Sequence, residues 1–188
     1  VIEGEGGAAA VKEGNVVISE IMYNPGEPTP EEIADGFEDA DEFEFIEVMN
    51  ISEAAVSLEG AAFTKGIAFD FPKSASLKAG ERGVLVKNRG PFEKRYGSKA
   101  KVLGIYDGSL KNSGEKVTLS DAEEDDIVGV SFKDSTPWPQ SADGLGFSIV
   151  LKAPETNPSA NQAGNWQASS AVGGSPGAGD AVTASGVV

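Results

Sequence analysis

The apolar residues of this chain recur with a period of two, in short runs that turn-forming residues interrupt. Ile67, Phe69 and Phe71 alternate with Ala68 and Asp70, the spacing that places one set of side chains on one face of an extended strand. A chain patterned this way buries one face of each strand and folds as layers of sheet. Glycine at 24 positions and proline at 10 point the same way, because both are unfavourable inside helices and both shape turns. The length of 188 residues suits one domain with flexible ends, and two complete domains would be cramped.

Residues 16–23 are a β-rich run that Asn24-Pro25-Gly26 stops, since proline has no N–H to offer a ladder. Residues 43–50 carry bulky apolar groups on both faces, as a strand in the middle of a sandwich does. Further strands are expected over residues 55–58, 61–64, 67–71, 82–87, 102–106, 116–120, 127–132 and 147–151. About nine short strands at close spacing indicate an all-β sandwich or barrel. The one convincing helix spans residues 91–96, with Pro91 in the first turn that tolerates it, and a single further helical turn falls near Pro30. Residues 1–14 read as a flexible leader, residues 15–177 as the folded domain and residues 178–188 as a disordered tail, with order fading from Ser175.

Thirty acidic and 15 basic residues give a formal charge of −15, which repels phosphate backbones and anionic lipid, so nucleic acid is a disfavoured partner. No apolar run approaches the roughly eighteen residues of a membrane helix, and no membrane insertion is expected. No basic-then-apolar targeting pattern opens the sequence, so any such signal is expected to have been removed or to lie elsewhere. With neither Cys nor His, thiol catalysis, disulfides, histidine triads and the usual zinc sites are excluded.

The order of the motifs is more specific than any one of them. Ile18-Ser19-Glu20-Ile21-Met22-Tyr23-Asn24-Pro25 is followed by Glu44-Phe45-Ile46-Glu47-Val48-Met49-Asn50, Leu58-Glu59-Gly60, Phe71-Pro72 and Leu77-Lys78-Ala79-Gly80. Then come Leu110-Lys111-Asn112-Ser113-Gly114-Glu115, Trp138-Pro139, Asp143-Gly144-Leu145-Gly146-Phe147-Ser148, Asn165-Trp166 and Gly174-Ser175-Pro176-Gly177. This series resembles a lamin-tail domain of the bacterial type. The resemblance implies an immunoglobulin-like β-sandwich with one short helix, placed in an exported or cell-surface protein beside other modules. It implies a non-catalytic interaction or tethering module, with no catalytic residues to carry over. The acidic segment between Pro25 and Glu44 is longer than the family's usual loop.

Several residue groups are candidates for chemistry. Glu20 and Glu47 fall in strands expected to be neighbours, and paired carboxylates serve as general acid and base or hold a cation; bonding to nearby backbone or lysine is the favoured role. Asp35, Glu38, Asp39 and Asp41 supply the hard oxygens that calcium takes, as does the turn at residues 121–126, but neither stretch has the spacing of a calcium loop. Calcium is thus the sole cofactor candidate. Lys87, Arg89, Lys94, Arg95, Lys99 and Lys101 form a local basic patch, opposed in its own stretch by Glu93 alone. If the patch and the acidic segment face different sides, the domain is dipolar and capable of weak self-association or of docking on an acidic partner; internal pairing with the surplus carboxylates is the favoured reading. Trp138, Trp166, Phe37 and Tyr23 invite a carbohydrate-stacking role, against which a core role is favoured for the tryptophans. Gly144 and Gly146 lack the third glycine and the following helix of a phosphate loop, so turn geometry accounts for them. The expected partner is therefore a protein or a neighbouring domain of the same polypeptide, at the cell surface or outside the cell. A calcium- or carbohydrate-dependent adhesion domain is the second reading, and a nucleic-acid-binding module through the basic patch the third.

Overall fold

The computed structural model describes residues 7–181, and its architecture is the layered all-β one that the alternation implies. In chain order the strands are β1 Ala9–Ala10, β2 Val16–Met22, β3 Phe45–Asn50, β4 Val56–Ser57, β5 Ala62–Lys65, β6 Phe69–Asp70 and β7 Ser76–Leu77. They continue with β8 Arg82–Val86, β9 Val102–Ile105, β10 Lys116–Ser120, β11 Asp126–Ser131, β12 Ile149–Leu151 and β13 Trp166–Ala168. Two helices interrupt them, α1 Pro30–Ala34 and α2 Arg89–Tyr96. A six-stranded sheet runs β13-β12-β2-β3-β8-β9, a four-stranded sheet β11-β10-β5-β6, and a three-stranded one β1-β4-β7. Pairings are antiparallel except β1 with β4 and β8 with β9. A bridge between Ala68 and Asp107 ties the segments after β5 and β9 together.

The sandwich interior is one apolar cluster that draws Ile18, Ile46, Val48 and Leu85 from the large sheet and Phe63, Val117, Leu119 and Val130 from the four-stranded sheet. Trp138 and Trp166 join it with ring centroids 6.1 Å apart. The opposite face of the large sheet has a second, smaller cluster, in which Met22, Phe45, Val84 and Val86 lie under Phe92 and Tyr96 of α2. Every residue of β2 is therefore buried, and strict alternation cannot put both Ile18 and Ile21 inward. A bulge between Ile18 and Glu20 solves this: the extra residue shifts the phase, so Ile18 and Ile21 face the core while Glu20 and Met22 face out.

The structure departs from the sequence reading at the ends and at three strands. Ala9–Ala10 pairs with β4, and Val11 is buried, so residues 9–11 of the expected leader belong to the fold. Ser175 and Gly177, where fading order was expected, are hydrogen bonded to the large sheet. Residues 1–6 of the expected leader and 182–188 of the expected tail lie outside the described residues. Strands β1, β7 and β13 escaped the sequence reading because two or three residues carry too little alternation to register. The turn near Pro30 is α1, closed by a capping box in which Glu32 N–H donates to Thr29 Oγ1 and Thr29 N–H to Glu32 Oε2.

Candidate functional site

The outer face of the large sheet is apolar at one end, under α2, and acidic at the other. Glu20 on β2 and Glu47 on β3 stand opposite one another in register, each only 1% exposed. Two adjacent buried carboxylates are unfavourable unless hydrogen bonds and countercharge surround them. Ser148 Oγ donates to Glu20 Oε1 at 2.6 Å, Ser175 N–H to the same oxygen at 2.8 Å, and Ser175 Oγ to Oε2 at 3.0 Å. On Glu47, Ser19 Oγ donates to Oε1 at 2.6 Å and Gly177 N–H to Oε2 at 2.6 Å, with Arg82 Nε 3.2 Å from Oε1.

Ser175-Pro176-Gly177 thereby crosses the sheet as a strap. Its two donor amides flank a proline that has none, so one glutamate takes each. Gly174 holds φ at +69°, and a Cβ there would collide with Glu20 Oε1. Gly177 holds φ at +85°, and its Cβ would sit 2.8 Å from the Ala100 backbone. Beyond the strap Asp180 returns to Ser170, accepting from its N–H at 3.0 Å and its hydroxyl at 2.9 Å.

Burial, reinforced by the charge of Glu20, raises the Glu47 carboxyl to about 7 despite the bonds from Ser19 and Gly177. Burial also raises Glu20, in part offset by Ser148 and Ser175. A carboxyl raised to about 7 beside a cleft, as Glu47 is, is a candidate for general acid–base chemistry. A cleft of about 370 Å³ does adjoin them, lined also by Arg82, Lys152, Glu155 and Asp180. All four carboxylate oxygens, however, already accept bonds from the chain's own donors, which fastens residues 175–177 to the sheet.

A third buried acid, Glu44, was not singled out in the sequence. Its Oε2 accepts from Tyr106 Oη at 2.7 Å and Leu110 N–H at 2.9 Å, while Oε1 is buried without a partner. Burial lifts this carboxyl to about 7. The available signal was an acid between Phe43 and Phe45 in an apolar run.

The basic patch is largely internally paired. Arg89 bonds Glu93, Lys94 bonds Asp35, Lys101 bonds Glu81, and Arg95 bonds Glu32 with Nη2 2.6 Å from Oε2. Lys87 Nζ donates to the Gly108 carbonyl, and Lys99 is exposed. Arg95 also lies 3.4 Å over the Phe43 ring, so it works as a clamp between α2 and the acidic segment. Asp35, Glu38, Asp39 and Asp41 do not converge as a set: Asp35 pairs with Lys94, Asp39 accepts from the Asp41 N–H at 3.0 Å, and Glu38 is exposed. Burial, then Asp39, raises the Asp41 carboxyl. Among the described residues no three acidic side chains converge to hold a metal ion. Trp138, Trp166 and Tyr23 are buried, and Trp166 Nε1 donates to the Ala160 carbonyl at 2.8 Å, so these rings are closed to a sugar; Phe37 is half-buried against Phe43. No helix among the described residues is long and apolar enough to cross a membrane.

Comparison with known proteins supplies one family. The model of the Lamin Tail Domain matches residues 9–134, two thirds of the chain. No curated protein matches.

Proposed function

Because the chain belongs to the lamin tail domain family, whose immunoglobulin-like members are not known as enzymes, we propose that it is a non-catalytic interaction or tethering module. The observation that carries this reading is the strap: the pair best suited to chemistry, Glu20 and Glu47, has every oxygen engaged by the chain itself. What the molecule offers to others is surface. The proposed setting is an exported or cell-surface protein, as the resemblance to the bacterial type implies, and the proposed partner is a protein or an adjoining domain. A calcium- or carbohydrate-dependent role has less support, since no three acidic side chains converge among the described residues and three of the four rings are buried.

The test is binding of the labelled full chain to the outer surface of intact cells that make it, alongside ester, phosphate and glycoside reporter substrates. Saturable, protease-sensitive binding without turnover is expected. Reporter turnover abolished by Glu47→Gln would overturn the reading.

A further inference from the structure

The acidic segment, α2 and two glycine-built loops enclose a second cleft, on the side of the domain that carries α1. Arg95 holds it together, donating from Nη1 to the Gly26 carbonyl at 2.9 Å and pairing with Glu32. Opposite, Gly173 N–H donates to the Gly146 carbonyl at 2.7 Å and joins the two loops. The cleft is about 410 Å³, within the roughly 300–1,000 Å³ range of binding clefts, and its lining includes Tyr96, Val172 and the aliphatic part of Arg95.

An apolar group stands open here. Val172 lines the cleft and is 69% exposed, with the half-buried Tyr96 also on the lining. A large apolar side chain left open in a concave lining favours a contact surface.

Charge narrows the occupant. Lys94 and Arg95, the cations of the lining, are paired with Asp35 and Glu32. Glu27 on the lining and Glu31 on α1, near enough to Lys94 to act on its charge, make no ion pair among the described residues. The surplus around the apolar floor is therefore negative. A second copy of a chain with charge −15 is repelled, and so is nucleic acid. We propose that this cleft docks a basic segment of a partner protein, which places a large apolar side chain against Val172 and Tyr96 and lysine or arginine side chains against Glu27 and Glu31. This rests on the reading of the domain as an interaction module and names the chemistry of its partner.

The experiment uses the full chain and fluorescein-labelled peptides with a Leu-Phe core. One peptide is flanked by lysines, one by glutamates, and a third keeps the lysines but replaces the core with alanines. Binding is followed by anisotropy at about 50 and 300 mM salt, where screening differs by more than a factor of two in length. The lysine-flanked Leu-Phe peptide is expected to bind best, and more weakly at high salt. Val172→Asp should weaken it about tenfold or more, a tenfold loss being about 1.4 kcal/mol, and the double change Glu27→Lys with Glu31→Lys should weaken it and flatten its salt dependence. Ile105→Asp should change nothing, and because all of these positions are exposed, unchanged melting confirms that the variants fold. Equal binding of the glutamate-flanked peptide, indifference to Val172→Asp, or a self-associated chain that Val172→Asp dissociates would overturn the proposal. Absence of peptide binding alongside saturable cell-surface binding would reject this cleft and leave the interaction module standing.

Discussion

Glu47 takes up a proton more readily in the folded chain than in an unfolded one, since burial and the neighbouring Glu20 lift it from 4.5 to about 7. A raised carboxyl contributes stability that is present below its unfolded value and is lost as the pH rises through the folded one. Glu20 and Glu44 are raised by burial and act in the same direction. Glu32 acts oppositely: the Arg95 bond lowers it, so its contribution is lost as the pH falls through that lowered value. Thermal melts should therefore show stability increasing from pH 8 toward about 5 and declining in stronger acid, with Glu47 alone contributing on the order of 3 kcal/mol. Glu47→Gln, which keeps the shape and cannot titrate, should flatten the profile between pH 5 and 8; an unchanged slope would refute the assignment. At the strap, Gly174→Ala introduces a Cβ both at positive φ and against Glu20, and should cost about 1–3 kcal/mol in urea unfolding. Both glutamates were legible as a pair from the sequence. Their partners were not, because Ser175 and Gly177 lie 155 and 130 positions away in a stretch whose composition reads as coil.

At the scale of elements, the basic patch and the acidic segment turn out to be one device. α1 is a single turn, too short to persist on its own, and it is held by Arg95 from α2. Arg95 Nε and Nη2 meet the two oxygens of Glu32 at 2.9 and 2.6 Å, and Glu32 is only 4% exposed. Arg95→Ala leaves that carboxylate buried without its cation and should cost about 3–5 kcal/mol, measured by urea unfolding. Arg95→Lys should recover only part of this, because an ammonium cannot reproduce the two-pronged bond to Glu32; full recovery would show that charge alone suffices. Sequence spacing showed where opposite charges were plentiful, and it placed α2 and the long strands within a residue or two. It could not show which acid each base would choose, since Arg95 and Glu32 are 63 positions apart.

For the whole molecule, the family match ends at residue 134, but the fold does not. β12 pairs with β2 in the large sheet, β13 pairs with β12, and Trp138 and Trp166 fill the sandwich interior. A chain ending at residue 134 should thus lack a cooperative melting transition; a sharp one would show that the later residues are dispensable. The sandwich itself was readable because core residues alternate along strands such as β10, at Val117 and Leu119, and β3, at Ile46 and Val48. The bulge at Ser19, the brief strands and the strap were not, because each depends on contacts with distant segments more than on local pattern. Everything turns on whether the buried glutamates hold the chain's own strap. Native-state hydrogen exchange of the Ser175 and Gly177 amides is the direct measurement. Both should exchange far more slowly than the exposed amide of Gly179 in the intact chain and lose that protection in Glu20→Ala and Glu47→Ala respectively; random-coil exchange in the intact chain would contradict the account.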